Sequence, residues 1–260
     1  MENETKIPKI IHYIWIGGNE KTPAVEKCLA SWRKYAPDYQ IIEWNESNYD
    51  KLDHYQINLA LAEKNYAYAS DIMRVDILYR YGGIYFDTDL ELVGNIDFLL
   101  DYRAAFSYEA KFWFGSAFLA CEKNHPLFKF IYERYNHTKK IKFSTNYSTV
   151  HAFTAYMRYF YKLKPRDNYE VIADILCLPR VYFFPLDYCT YEDNQTDITV
   201  GIHHYGSSWH SKSQSRGERF AARVKKILGK TIFSWFELIF ANSVYYRLRR
   251  EYRRLIKAKE

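Results

Sequence analysis

An α/β fold built on a buried, partly parallel sheet is predicted by three stretches of the sequence. Lys9-Ile10-Ile11-His12-Tyr13-Ile14-Trp15-Ile16 is a nearly continuous apolar run of strand length. It is rich in β-branched residues and closed by Gly17-Gly18, the pattern of a central parallel strand covered on both faces. Residues 22–36 then show helical periodicity and residues 39–44 return to strand character, which is the alternation of an α/β fold. A second helix over 65–81 runs through Gly82-Gly83 into the short apolar strand Ile84-Tyr85-Phe86. At 260 residues and 31.2 kDa the chain suits one such domain with a short appendage and is too small for two full domains.

Each element has its local reason. Thr22 and Pro23 open the first helix as N-cap and N1, Val25, Cys28, Leu29, Trp32 and Ala36 give it one apolar face, and Pro37 ends it. Tyr39 to Trp44 reads as the second strand, and Asn45 beyond it suits either a sugar contact or a turn. Tyr49 to Ala62 reads as irregular and then helical. On the helix over 65–81, Asp71 and Arg74 stand three apart and project from one face, with Asp76 placed to hold Arg74 or Arg80. Gly82 and Gly83 supply a left-handed cap that turns the chain into the next strand. At that strand's end Asp87 and Asp89 lie two apart, and extended geometry sends both carboxylates to one side together with Tyr85.

Two carboxylates held so close repel unless a cation sits between them. All-oxygen ligation selects a hard divalent ion such as Mg²⁺ or Mn²⁺, whose natural task is to hold a diphosphate. Alone, an Asp-x-Asp equally suits a surface turn. Asp71 and Arg74 alone equally suit an i,i+3 surface ion pair, stabilising by about 0.2–0.5 kcal/mol.

Further along, Arg103 to Ser107 and Phe114 to Ala120 read as strands, His125-Pro126 opens a helix through Tyr135, and Thr149 to Tyr161 is helical. Glu109 and Phe112-Trp113-Phe114 fall between the two strands, as an aromatic platform on the acceptor side or as an ordinary hydrophobic loop. Thr199 to His204 reads as a late strand ending in two histidines. Neighbours on a strand face opposite ways, so only one of His203 and His204 reaches a common site. Ligands bind beyond the carboxyl ends of strands in open α/β sheets, which places Trp15 and the Gly17-Gly18 backbone at a nucleotide; Trp15 also suits a core position.

Aromatic residues make up 19% of the chain, with 26 Tyr and 17 Phe, more than a core alone uses, and suit clefts that bind sugars. Cys28, Cys121, Cys177 and Cys189 lack metal-ligand spacing and read as reduced, mostly buried thiols. The segment up to Lys9 is polar and no run approaches the roughly 20 apolar residues of a membrane span, so a cytoplasmic protein is expected. The net charge of +6 is concentrated at the end: Ser211 to Glu260 carries 14 Lys and Arg against 4 Glu, and the first 210 residues are mildly acidic. Its basic amphipathic stretches, Phe220 to Leu228, Phe233 to Phe240 and Arg247 to Arg254, read as helices suited to an anionic membrane surface. A solvated helical cap is the plainer reading, and no nucleic-acid recognition motif accompanies the run.

The ordered set Asp71-x-x-Arg74, Gly82-Gly83, Ile84-Tyr85-Phe86 and Asp87-Thr88-Asp89 resembles the Asp-x-Asp glycosyltransferases of family 32. That family includes Golgi mannosyltransferases and bacterial capsule and lipopolysaccharide enzymes, and is related to the catalytic domains of large clostridial glucosylating toxins. The resemblance runs from Ile7 to about Trp209. It implies the Rossmann-like GT-A fold over residues 1–210; the basic helical tail over 211–260, read from its own composition, is expected at the inner face of the membrane. The resemblance implies metal-dependent, configuration-retaining transfer of a hexose from a nucleotide sugar, UDP-linked in preference to GDP-linked, to a hydroxyl of a glycan or lipid-linked glycan in surface polysaccharide synthesis. Trp15 then stacks on the base, Asp71 and Arg74 grip the sugar, and Ser207 and Trp209 meet the diphosphate. Asp87, Asp89 and His204 hold the ion, imidazole favouring Mn²⁺ over Mg²⁺. Many relatives carry Gly-Pro where this chain has Val150-His151, so no acceptor contacts carry over there. The alternatives are a toxin-like transferase acting on protein and a non-catalytic sugar-nucleotide-binding protein on the same fold.

Overall fold

The computed structural model describes residues 5–50, 54–137, 149–188, 190, 192–206 and 212–258. Its strands are β1 (Ile10–Ile14), β2 (Gln40–Trp44), β3 (Gly83–Phe86), β4 (Leu90–Leu92), β5 (Ala104–Ala110), β6 (Trp113–Cys121), β7 (Glu170–Ile172), β8 (Ile175–Leu178) and β9 (Gly201–His203). Its helices are α1 (Pro23–Tyr35), α2 (Tyr55–Ala62), α3 (Tyr66–Tyr81), α4 (Pro126–His137), α5 (Thr149–Phe160) and α6 (Lys212–Lys257). Seven strands form one sheet in the order β2-β1-β3-β6-β5-β8-β7, and β4 pairs with β9 apart from it. The sheet is mixed: β2-β1-β3 and β5-β8 run parallel, and the other pairs are antiparallel.

Side-chain alternation along the strands feeds a core on each face. Ile84 and Phe86 of β3 join Trp32 of α1, whereas Tyr85 between them joins α3, α4 and α5. As the sequence predicts, Thr22 caps α1, its hydroxyl accepting from the Val25 amide, and Pro23 occupies the first turn. The Trp32 indole donates to the Leu90 carbonyl at 2.8 Å and ties α1 to β4.

The double glycine departs from the expected cap. Gly82 has φ 69° and ψ −168°, outside the left-handed helical region and in one that is essentially glycine-only. Gly83 follows at φ 98°, where a Cβ would lie 2.7 Å from the Ile10 carbonyl oxygen. Two backbones, β1 and the start of β3, therefore meet without side chains between them. His12 reinforces the junction: its Nε2 donates to the Gly82 carbonyl at 2.8 Å, and its Nδ1 accepts from the Trp44 indole at 3.0 Å.

The sequence reading missed the hairpin β7-β8. Its two-residue turn is Ala173-Asp174, both at positive φ (50° and 66°), so the Asn-Gly or Asp-Gly signal of such a turn is missing. Three C-terminal helices were expected; α6 is one helix of 46 residues, with no proline after Pro185 to interrupt it. Its distal half is part of the core through Ala241, Val244, Leu248 and Tyr252, and the Tyr252 hydroxyl donates to the Ala152 carbonyl of α5 at 2.7 Å. Cys28, Cys121 and Cys177 are buried free thiols, and Cys189 lies outside the described residues.

Candidate active site

From β1 the chain turns through α1 to β2 on one side and later returns as β3 on the other, so the strand order reverses between the carboxyl ends of β1 and β3. That position is the usual ligand site of an open α/β sheet. A cleft of about 220 Å³ opens there, lined by Ile14 at the end of β1 and Ile16 beyond it, Tyr66, Ser70, Asp71 and Arg74 of α3, and Asp87, Thr88 and Asp89 after β3. Ser116, His203, Tyr205 and Gly206 complete its wall.

Asp87 and Asp89 meet by a different route from the extended one expected. The Leu90 amide donates to the Asp87 carbonyl at 3.0 Å, so Asp87-Thr88-Asp89 is a turn, and the turn brings both carboxylates into the cleft. One ligand atom each from Asp87, Asp89 and His203 lie within 4.8 Å of one another. The histidine is thus His203, correcting the preference for His204. β9 ends at His203, whose Nε2 lies 3.1 Å from Asp89 Oδ1. His204 turns to the other side, 2.8 Å from Glu91 Oε2, where Lys27 of α1 also binds. Asp89 also accepts from the Gly206 amide at 2.7 Å. Burial pulls the His203 imidazole down, but Asp89 beside it outweighs that and lifts it to about 9; burial pushes Asp89 up, and His203 and the Gly206 amide hold it below the usual carboxylate range. Two carboxylates and one imidazole converging in this way fit a divalent cation.

Arg74 is buried and its hydrogen bonds are made inside the protein. Nε donates to the Ser70 carbonyl (3.2 Å), Nη2 to the Ser70 hydroxyl (2.9 Å) and Nη1 to the Ser116 carbonyl (2.8 Å). Nη1 also lies 3.1 Å from Asp87 Oδ1, and Nη2 3.3 Å from Asp71 Oδ1. The guanidinium stacks over the Tyr85 ring at 4.6 Å, and the Tyr85 hydroxyl donates to Asp87 at 2.8 Å. Arg74 therefore holds Asp71, Asp87 and Tyr85 in place, instead of offering its donors freely to a sugar as the resemblance implied. Burial pushes Asp71 up to about 6, against the pull of Arg74. Asp76 serves Arg80 (2.7 Å) and accepts from Tyr49, which decides between the two partners open in the sequence.

Trp15 is half-buried, packs against the core on the α1 side of the sheet and does not line the cleft; its indole donates to the Asn19 carbonyl at 2.7 Å. Gly17 gives its amide to Glu46 and lies under the Tyr66 ring, 2.8 Å from where a Cβ would stand. Ser207 and Trp209 lie outside the described residues. Glu109 sits beside Tyr205 and His203, its carboxyl raised by burial. Of the aromatic run, Phe114 belongs to the core against Phe106, and Trp113 packs edge-on against His151 at 4.3 Å. Asn45 forms a turn, accepting from the Ser47 amide at 2.9 Å. Ser70, Tyr66 and Ser116 were not anticipated; only Ser70, one helical turn before Arg74, carried a signal in its spacing.

Comparison with known proteins finds the same fold and a partial match in sequence. Residues 22–106 match the family described as glycosyltransferase sugar-binding region containing DXD motif. The solved PaToxG glycosyltransferase superposes with a TM-score of 0.51 at 22% identity, over 58% of this chain and 68% of that one, and shares the fold. Inositol phosphoceramide mannosyltransferase 3 of Schizosaccharomyces pombe is 29% identical over 134 residues, 46% of this chain and 35% of that protein. Inositol phosphoceramide mannosyltransferase 1 of the same yeast is 26% identical over 197 residues, 66% of this chain and 57% of that protein. The chain thus spans between about a third and somewhat over half of these curated relatives.

Proposed function

We propose that this protein transfers a hexose from a nucleotide sugar to a hydroxyl of a glycan or glycolipid acceptor, with a divalent cation held by Asp87, Asp89 and His203. The convergence of those three side chains at the strand reversal, with Asp71 and Arg74 beside them, is the observation that supports it most. When bound, the cation supplies positive charge to the departing diphosphate. Arg74 fixes the Asp87 carboxylate and the Tyr85 ring, so the site is organised before the donor arrives. Asp71, at the cleft wall, accepts hydrogen bonds from sugar hydroxyls. A second cavity of about 530 Å³, lined by Lys111, Arg180, Asp187, Tyr188 and Phe233, is the acceptor side of this reading, with Tyr205 of the cleft near Asp187 and Tyr188.

The names of the yeast relatives make mannose the first sugar to test, and the donor base, uracil in preference to guanine, is screened with it. Retention of the donor's anomeric configuration belongs to the same reading. The test is a hydrolysis and transfer screen of UDP- and GDP-hexoses with Mn²⁺, in parent and Asp89→Ala protein. Turnover is expected in the parent, falling by about 10² to 10³ in the variant. Donor binding without turnover in any combination leaves a non-catalytic sugar-nucleotide-binding protein, and equal turnover in both proteins overturns the role given to Asp89. Labelled protein in place of labelled glycolipid points to the toxin-like alternative.

A further inference from the structure

We propose that the outward face of α6 docks on an anionic lipid surface and lies in its plane. Opposite sides of this helix have opposite fates. Ala241, Val244, Leu248 and Tyr252 follow helical spacing and face the core, each at most 1% exposed. Half a turn away, Ile232, Trp235, Phe236, Ile239 and Tyr246 share the solvent side, with Trp235 66% and Ile239 62% exposed. Large apolar side chains in such a row mark a surface that something covers.

Charge identifies what covers it. The same outward row continues beyond Tyr246 with Arg250, Arg253, Arg254 and Lys257, all exposed. The two acids among residues 232–258 of α6 point inward: Glu237 accepts from the Tyr188 hydroxyl at 3.4 Å, and Glu251 lies 2.7 Å from Arg134 Nε of α4. The described outward row is therefore apolar for its first half, basic for its second and free of acid. It is about 38 Å long at 1.5 Å per residue. An aromatic and aliphatic segment followed by arginine and lysine matches the boundary between acyl chains and anionic headgroups. A second copy would have to meet four positive charges with the same acid-free row. Among the described residues no helix is long and apolar enough to cross a membrane, and charge segregated around the axis is the pattern of a helix lying along an interface.

The test uses the full chain with phosphatidylcholine vesicles, plain or with a third of the lipid replaced by phosphatidylglycerol, and reads the fraction that sediments. The parent is expected to sediment with the anionic vesicles and to be released by salt. Arg250→Gln with Arg254→Gln should weaken partitioning about 25-fold, from about fivefold per neutralised charge. Trp235→Ser with Ile239→Ser should abolish it. None of these residues lines the cleft, so donor turnover in solution stays at the parent level. A parent that does not sediment with anionic vesicles, or variants that sediment as it does, overturns the proposal. So does a parent dimer that dissociates in the Trp235→Ser, Ile239→Ser protein, since a second copy would then be the occupant.

Discussion

Replacing Arg74 by methionine tests how the site is organised. The change keeps most of the side-chain volume and removes a guanidinium whose contacts all lie within the protein: the Ser70 carbonyl and hydroxyl, the Ser116 carbonyl, and the carboxylates of Asp71 and Asp87. Breaking a buried pair by removing one partner costs about 3–5 kcal/mol, because the other charge is left without compensation. Here the side chains of Asp71 and Asp87 are 19% and 26% exposed, so water takes up part of the loss and the lower end applies, about 3 kcal/mol. For a chain of this size that lowers the melting temperature by roughly 6–12 °C in metal-free buffer. The same substitution removes a positive charge 3.1 Å from a proposed metal ligand, so Mn²⁺ should bind the variant more tightly and raise its melting temperature by more than the parent's. Differential scanning calorimetry with and without Mn²⁺ reads both effects. A variant that melts with the parent without metal refutes the view that Arg74 neutralises the two aspartates, and one that responds less to Mn²⁺ refutes the view that its charge outweighs its positioning of Asp87.

Exchanging the two histidines separates their places: His203→Ala should lose Mn²⁺-dependent stabilisation and donor turnover, and His204→Ala, which only frees Glu91, should keep both. Gly83→Ala should destabilise by more than about 3 kcal/mol, since it combines positive φ with a Cβ 2.7 Å from the Ile10 oxygen, whereas Gly18→Ala, also at positive φ but with open space around it, should cost only the backbone strain of about 1–3 kcal/mol; equal urea midpoints would contradict this. Burial lowers His12 to about 4, so its contribution is complete above pH 6.5 and is lost as pH falls from 6.5 toward 4, by about 3 kcal/mol in total. Burial likewise lowers His125 to about 4. Denaturant titrations across pH 4–7 should show that slope, and a His12→Gln protein should show a shallower one.

The sequence displayed the elements whose signals are local. The apolar run of β1, the Thr22-Pro23 start of α1 and the Gly82-Gly83 reversal are each written in a few adjacent residues, and the cleft follows from them. Less was visible where distant segments decide. The choice between His203 and His204 depends on where β9 ends and on which side of β4 it lies, and alternation alone gives no sign for that choice. The engagement of Arg74 depends on Ser116, which arrives from β6 far along the chain. The β7-β8 hairpin turned on Ala-Asp, a dipeptide that announces no turn, and α6 joined three apparent helices because no proline stands between them and Gly229 alone does not break one.

The dual character of α6 sets a practical rule for preparing the protein. Its exposed tryptophan and phenylalanine invite deletion of the C-terminal segment to improve solubility, yet that cut also removes Leu248 and Tyr252 from the interior and leaves Arg134, fully enclosed, without Glu251. A better-behaved sample is to be sought by repainting the outer side of the helix with polar residues while keeping its full length.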